Sequence, residues 1–332
     1  MRFGLGGRMS SEEALADRFR RALYVHLAEG GHLDHEDDDR AISDSLSHLG
    51  RAMAEFLSGR INLATLKYRM DNAFVETGCS FPPREAVDAM REAVLSIDVD
   101  EISPALSELG SMPEDITDAK GRLLDAERFI ERQASRGSVE RSFGDSFSAL
   151  LMCLWHLQAP GMWPMRHGPL MKVLQNEGLV GRGDPPQDLV DLIIAVRHLE
   201  EATGAGRYDL GRLLPLLDDE LPPEEDCIRG SAERIKALVE EGGWDLALRW
   251  CDLLLAFRPQ STEALYGRIA AYEGKGLHMM AMAEAEDLVE LLPEDLTAHR
   301  RLLALYKEKR MVPDYNREVR RFKAIMDARR GA

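Results

Sequence analysis

A chain of 332 residues with 58 acidic against 42 basic side chains carries a formal charge of −16. That balance opposes general adhesion to nucleic acid or to an anionic membrane, since both present negative phosphate. Hydrophobic residues at 45% and aromatic residues at 6% fit a mainly helical chain with a buried core, and the length suits two domains.

The first residues lack the uninterrupted apolar core of a signal peptide, and no later stretch reaches about 18 apolar residues. The expected location is therefore cytoplasmic, with no membrane partner. Ser10 and Glu13 have capping-box spacing, and Leu15, Phe19, Leu23 and His26 then recur at helical intervals, which predicts a helix over 11–29 stopped by Gly30 and Gly31. The acidic run 32–40 reads as a solvated loop. His32 and His35 among its carboxylates lack a calcium-loop glycine and a second ligand cluster, so no metal is expected. Helical periodicity returns over 43–95 with breaks at Ser58-Gly59 and over 77–83, where Pro83 can open a helix over 83–95. Further helices are predicted over 98–109 and 113–132. No segment alternates with period two for long enough to form a strand, so the fold class is all-α.

Residues 142–157 are the most apolar stretch before the last third, with Phe143, Phe147, Leu150, Leu151, Leu154 and Trp155 on one face and Met152, Cys153 and Leu157 filling the rest. This predicts a central helix buried nearly all round, in which His156 is a hydrogen-bonded core residue. The following loop, 158–170, holds three prolines and Trp163. It either lines a ligand pocket made by Trp155, His156, Trp163, Arg166 and His167 or folds Trp163 over the core as a lid, and the second is favoured because tryptophan is largely buried on average. Gly181 and Gly183 do not make a dinucleotide fingerprint, having no strand before them and no third glycine. Helices are predicted over 188–205 and 209–217, and the acidic, proline-containing run 218–227 reads as a linker.

The last third repeats at a spacing of 34: Pro259 and Pro293, Tyr272 and Tyr306, Ala247 and Ala281, Gly242 and Gly276. The period is that of a helix-turn-helix unit, with glycine at the turn, alanine where two helices approach and proline at the end. Units fall at 228–261, 262–295 and 296–329. The third has Arg310 in place of glycine, Tyr315 in place of alanine and no closing proline, as suits a terminal cap.

This region resembles tetratricopeptide repeats. The resemblance implies a surface that takes a peptide or helix from a protein partner, mainly on the first helix of each unit, with Arg234, Glu263, Tyr266, Arg268, His299, Arg300 and Arg301 as candidate contacts. Upstream, GRINLATLKYRMD over 59–71 with the AP-x-x-WP loop over 159–164 is similar to N-terminal helical regions of restriction-type GTPases and related ATPases. That implies a link to nucleic-acid surveillance or to a larger NTPase assembly. The chain has no GxxxxGK[ST] sequence and is not itself an NTPase of that kind.

The organisation read from sequence is a helix and acidic loop over 1–40, a helical domain over 41–217, a linker over 218–227 and the repeats over 228–332. No cysteine pair has CxxC spacing, so Cys79, Cys153, Cys227 and Cys251 read as free thiols. Neither GxSxG nor HExxH occurs, so no catalytic residue and no cofactor is assigned. The leading expectation is a non-enzymatic adaptor that docks a protein. Nucleic acid is not expected as the main ligand, although the basic end, 300–330, leaves a nucleic-acid-associated regulatory subunit as one alternative. An enzyme or ligand sensor built around Trp155, Trp163 and His167 is the other.

Overall fold

The computed structural model describes residues 10–31, 36–77, 81–164, 168–181, 185–205 and 209–331. No strand occurs among them. The helices are α1 (Ser11–Ala28), α2 (Glu36–Leu57), α3 (Leu63–Thr77), α4 (Arg84–Ser96), α5 (Val99–Leu109), α6 (Ile116–Ser135), α7 (Phe143–Gln158), α8 (Gly168–Asn176), α9 (Pro185–Thr203), α10 (Asp209–Leu213), α11 (Glu224–Glu241), α12 (Trp244–Phe257), α13 (Thr262–Gly274), α14 (His278–Leu291), α15 (Leu296–Glu308) and α16 (Val312–Gly331). None is long and apolar enough to cross a membrane among the described residues.

Local chemistry sets several of these ends. Ser10 and Glu13 exchange backbone N–H for side-chain oxygen at 3.1 Å in both directions, a complete capping box. Asp98 accepts from the backbone N–H of Asp100 at the start of α5, and Asp115 does the same for Asp118 at the start of α6. One expectation is corrected here. Residues 36–40, read as solvated loop, are the first turns of α2. The proposed ligands His32 and His35 lie outside the described residues.

The chain divides into two compact units. The first comprises Met1–Leu15, Gly30–Glu201 and Arg207–Leu214, and α7 is its hub, packed by α2, α4 and α6. Every residue of α7 from Phe147 to Leu157 is buried while Ser142 and Asp145 at its start are exposed, so the nearly all-round burial expected of 142–157 holds for all but its first turn. At Gly50 a side chain would lie 2.8 Å from the carbonyl oxygen of Leu157, so glycine is what lets α2 approach α7 this closely. Trp155 donates its Nε1–H to Leu109 O at 2.9 Å, and Phe129 stacks on Phe147 at 5.9 Å.

The second unit comprises Ala16–Glu29, Ala202–Gly206 and Pro215–Ala332. Its body is three consecutive helix pairs, α11/α12, α13/α14 and α15/α16, each helix packing on the next in order, which is a helical-repeat architecture. The C-terminal part of α1 is built into it. Arg20 donates to Ala202 O and Ala256 O at 3.3 and 3.1 Å and lies over the Phe257 ring, and Tyr24 meets the Trp250 ring edge-on at 5.6 Å. Tyr24 also fills the space a side chain would need at Gly230. Glu224, Glu225 and Asp226, read from sequence as linker, form the first turn of α11, at the favourable end of the helix dipole.

Candidate functional site

The repeat is written in the backbone of the three turns. Gly242, Gly276 and Arg310 all have positive φ, at 80°, 72° and 57°. The next residue's N–H reaches back five residues in each case: Gly243 to Leu238 O at 2.9 Å, Leu277 to Tyr272 O at 2.8 Å and Met311 to Tyr306 O at 2.9 Å. This is the Schellman ending of a helix, three times at a spacing of 34. Arg310 adopts the turn conformation although it lacks the glycine that makes it inexpensive.

Four of the seven candidate contact residues tie the stack together. Tyr266 on α13 donates its hydroxyl proton to Asp295, the N-cap of α15, at 2.6 Å. Burial and that carboxylate push the Tyr266 hydroxyl well above its usual range. Burial opposes ionisation of Asp295, yet the hydrogen bonds it accepts from Tyr266 and from the N–H groups of Thr297 and Ala298 hold it below the usual carboxylate range. Arg268 joins three helices, with a guanidinium nitrogen 2.7 Å from Glu284 and 3.9 Å from Asp252, and it lies over the Tyr272 ring. Burial raises both of those carboxyls despite the arginine. Arg301 on α15 pairs with Glu273 on α13 through Nε at 3.1 Å.

His299 is fully enclosed, with Nδ1 on the Glu318 carboxylate and Nε2 2.9 Å from Pro293 O. Its place as a candidate contact, implied by the resemblance, is thus corrected: the ring faces the α15/α16 interface and is closed off from solvent. The remaining three are at the surface. Arg234 is exposed, Arg300 is exposed and lies over the Phe322 ring at 5.8 Å, and Glu263 is exposed while accepting from Ser261 and Thr262 at the start of α13. These seven side chains therefore form no single cluster.

In the first unit, Trp155 and Trp163 are both buried and meet edge to face at 5.7 Å. His156 is enclosed with Nδ1 2.6 Å from Trp163 O, and the Arg197 guanidinium lies over the Trp163 ring. Here the tryptophan caps the core, as a lid does. Arg166 and His167 lie outside the described residues. Sequence reasoning did not single out a cleft of about 390 Å³ lined by Met70, Phe81, Pro82 and Val87, with Asp71 and Asp88 paired to Arg91 at 3.1 and 3.3 Å. Its charges neutralise one another, and its residues come from three separate segments with no shared motif. Among the described residues no group of three or more His, Cys, Asp or Glu side chains could hold a metal ion.

No protein-family model, curated protein or solved structure matches this chain.

Proposed function

We propose that this chain is a non-enzymatic docking scaffold whose second unit is a short tetratricopeptide-like stack, working in the cytoplasm on a protein partner. The observation that carries the reading is the threefold turn at a spacing of 34, with matching φ and matching backbone bonds at Gly242, Gly276 and Arg310. Such a stack offers an extended surface made by successive first helices. The cross-helix ties of Tyr266, Arg268 and Arg301 hold that surface in one shape, so little ordering cost falls on binding. Arg234 on α11 and Arg300 on α15 are the exposed charges through which a partner segment would be steered. Three buried thiols, Cys153, Cys227 and Cys251, none of them in a disulfide, support a reducing compartment.

Affinity purification from the native host with the full chain, beside Arg234→Glu and Arg300→Glu variants, tests this. A partner retained by the wild type and lost by the variants supports the reading. A partner retained equally by both variants, or by a chain lacking 228–332, removes it.

A second reading, a nucleic-acid-associated regulatory subunit, draws on the exposed Arg317, Arg320 and Lys323 of α16. DNA or RNA binding that weakens steeply with salt would select it.

A further inference from the structure

Every large hydrophobic residue that is strongly exposed among the described residues of the second unit lies on one edge of the stack: Leu277 at 45%, Met279 at 63%, Met280 at 50% and Val312 at 60%. That edge is made by the three turns, which lie side by side. The Trp244 ring after the first turn covers Gly274 before the second, and His278 after the second reaches Glu308 before the third at 3.3 Å. The two contacts have the same sequence offset, so the edge is as periodic as the stack itself. Methionine suits such a place, being apolar, flexible and able to adapt to a facing surface.

The charges along the edge are ordered. The first turn is acidic, with Glu240 and Glu241 exposed and Asp245 after it. The middle turn carries Leu277, Met279 and Met280 beside Lys275, whose charge is met by Asp245, and Val312 follows the third turn. The third is basic, with exposed Lys307, Lys309 and Arg310 around the single carboxylate of Glu308, which is already engaged by His278 and Lys309. Glu240, Glu241, Lys307 and Arg310 enter no ion pair among the described residues.

An edge ordered acidic, apolar, basic is complementary to itself when a second copy is laid against it in the opposite direction. A two-fold axis through the middle turn then places methionine on methionine and each acidic turn on the partner's basic turn. Two-fold contacts of this kind use the same patch on both subunits. We propose that this chain forms an antiparallel homodimer through the turn edge of its repeat unit, with Leu277, Met279 and Met280 at the centre and the Glu240/Glu241 and Lys309/Arg310 pairs at the two ends. A dimer built this way leaves Arg234 and Arg300 outside its contacts, and it stands or falls independently of the docking function proposed above.

Sedimentation velocity of the full chain at micromolar concentrations provides the test. The wild type is expected at twice its 37.2 kDa mass. Met279→Lys combined with Met280→Lys is expected to give the monomer with an unchanged far-UV spectrum. Two charge variants then probe direction: Glu240→Lys with Glu241→Lys, and Lys309→Glu with Arg310→Glu. Each alone should raise the dissociation constant about tenfold or more, through like charges facing across the axis. Mixed in equal amounts the two should recover wild-type affinity as a heterodimer, because acidic then meets basic at both ends. A monomeric wild type overturns the proposal, as does a dimer that the methionine variant leaves intact. A mixture that fails to recover affinity overturns the antiparallel arrangement.

Discussion

His299 Nδ1 and the Glu318 carboxyl group form a hydrogen-bonded pair sealed inside the last helix pair, both side chains almost fully enclosed. The second ring nitrogen faces Pro293 O at 2.9 Å, and a carbonyl oxygen only accepts, so Nε2 carries a hydrogen. Glu318→Ala leaves a buried ring nitrogen without its partner beside a new cavity and is expected to cost about 2–4 kcal/mol. Glu318→Gln keeps a hydrogen-bonding group opposite Nδ1 and is expected to cost about 1 kcal/mol. Urea unfolding of the two variants checks the difference, and equal losses would contradict this account of the pair.

Arg310 occupies a backbone conformation that costs a non-glycine residue about 1 kcal/mol. Arg310→Gly is therefore expected to stabilise the protein by about 0.5–1 kcal/mol, whereas Gly276→Ala at the equivalent turn should destabilise it by about 1 kcal/mol. Opposite shifts in thermal midpoint for the two variants are the expected outcome.

Gly267 lies where α13 crosses its neighbours. An added Cβ would sit 2.5 Å from Ile235 Cγ2 and 2.8 Å from Cys251 Sγ, so Gly267→Ala is expected to cost about 1–3 kcal/mol by overpacking. If the clash is the cause, Gly267→Ala with Ile235→Ala, which takes away the Cγ2 methyl, should cost less than the sum of the two single changes. A double-mutant cycle by urea denaturation measures this.

Burial pushes the Cys153 and Cys251 thiols up to about 12 and Cys227 to about 11. Cys79 lies outside the described residues, so the experiment uses a Cys79→Ser background. At about pH 8 the three native thiols are expected to react with a disulfide reagent on the order of a hundredfold more slowly than a free thiol, and at ordinary rates once unfolded. Rapid labelling of the native protein would contradict their enclosure.

Asp295, held below the usual carboxylate range by Tyr266 and by the N–H groups of α15, contributes stability above its unfolded titration range and loses it as pH falls through its lowered folded value. Tyr266→Phe removes one of those hydrogen bonds. Its destabilisation is expected to be larger near neutral pH than near pH 3, where the carboxyl is protonated in the unfolded chain. Thermal melts across that range provide the check.

Signals contained within a few residues were legible in the sequence. Ser10 with Glu13, Asp98, Gly242 and Gly276 each act on their own helix end, and the apolar run of α7 could only be buried. Features that need distant partners were not legible. Tyr24 fits against Gly230 and Trp250 across some two hundred residues, and no local pattern in α1 announces that its C-terminal part belongs with the repeats. The candidate contacts show the same limit. Tyr266, Arg268 and Arg301 look like surface polar residues along the chain, and only the neighbouring helices, through Asp295, Glu284 and Glu273, make them ties. Arg310 is the reverse case: the identity of the residue breaks the repeat while its backbone keeps it.

Hydrogen–deuterium exchange of the full chain, with and without the protein partner recovered by affinity purification, tests the docking function most directly. Protection is expected on the first helices of the stack, α11, α13 and α15, around Arg234 and Arg300. Protection confined to α2–α9, with those three helices unchanged, would contradict it.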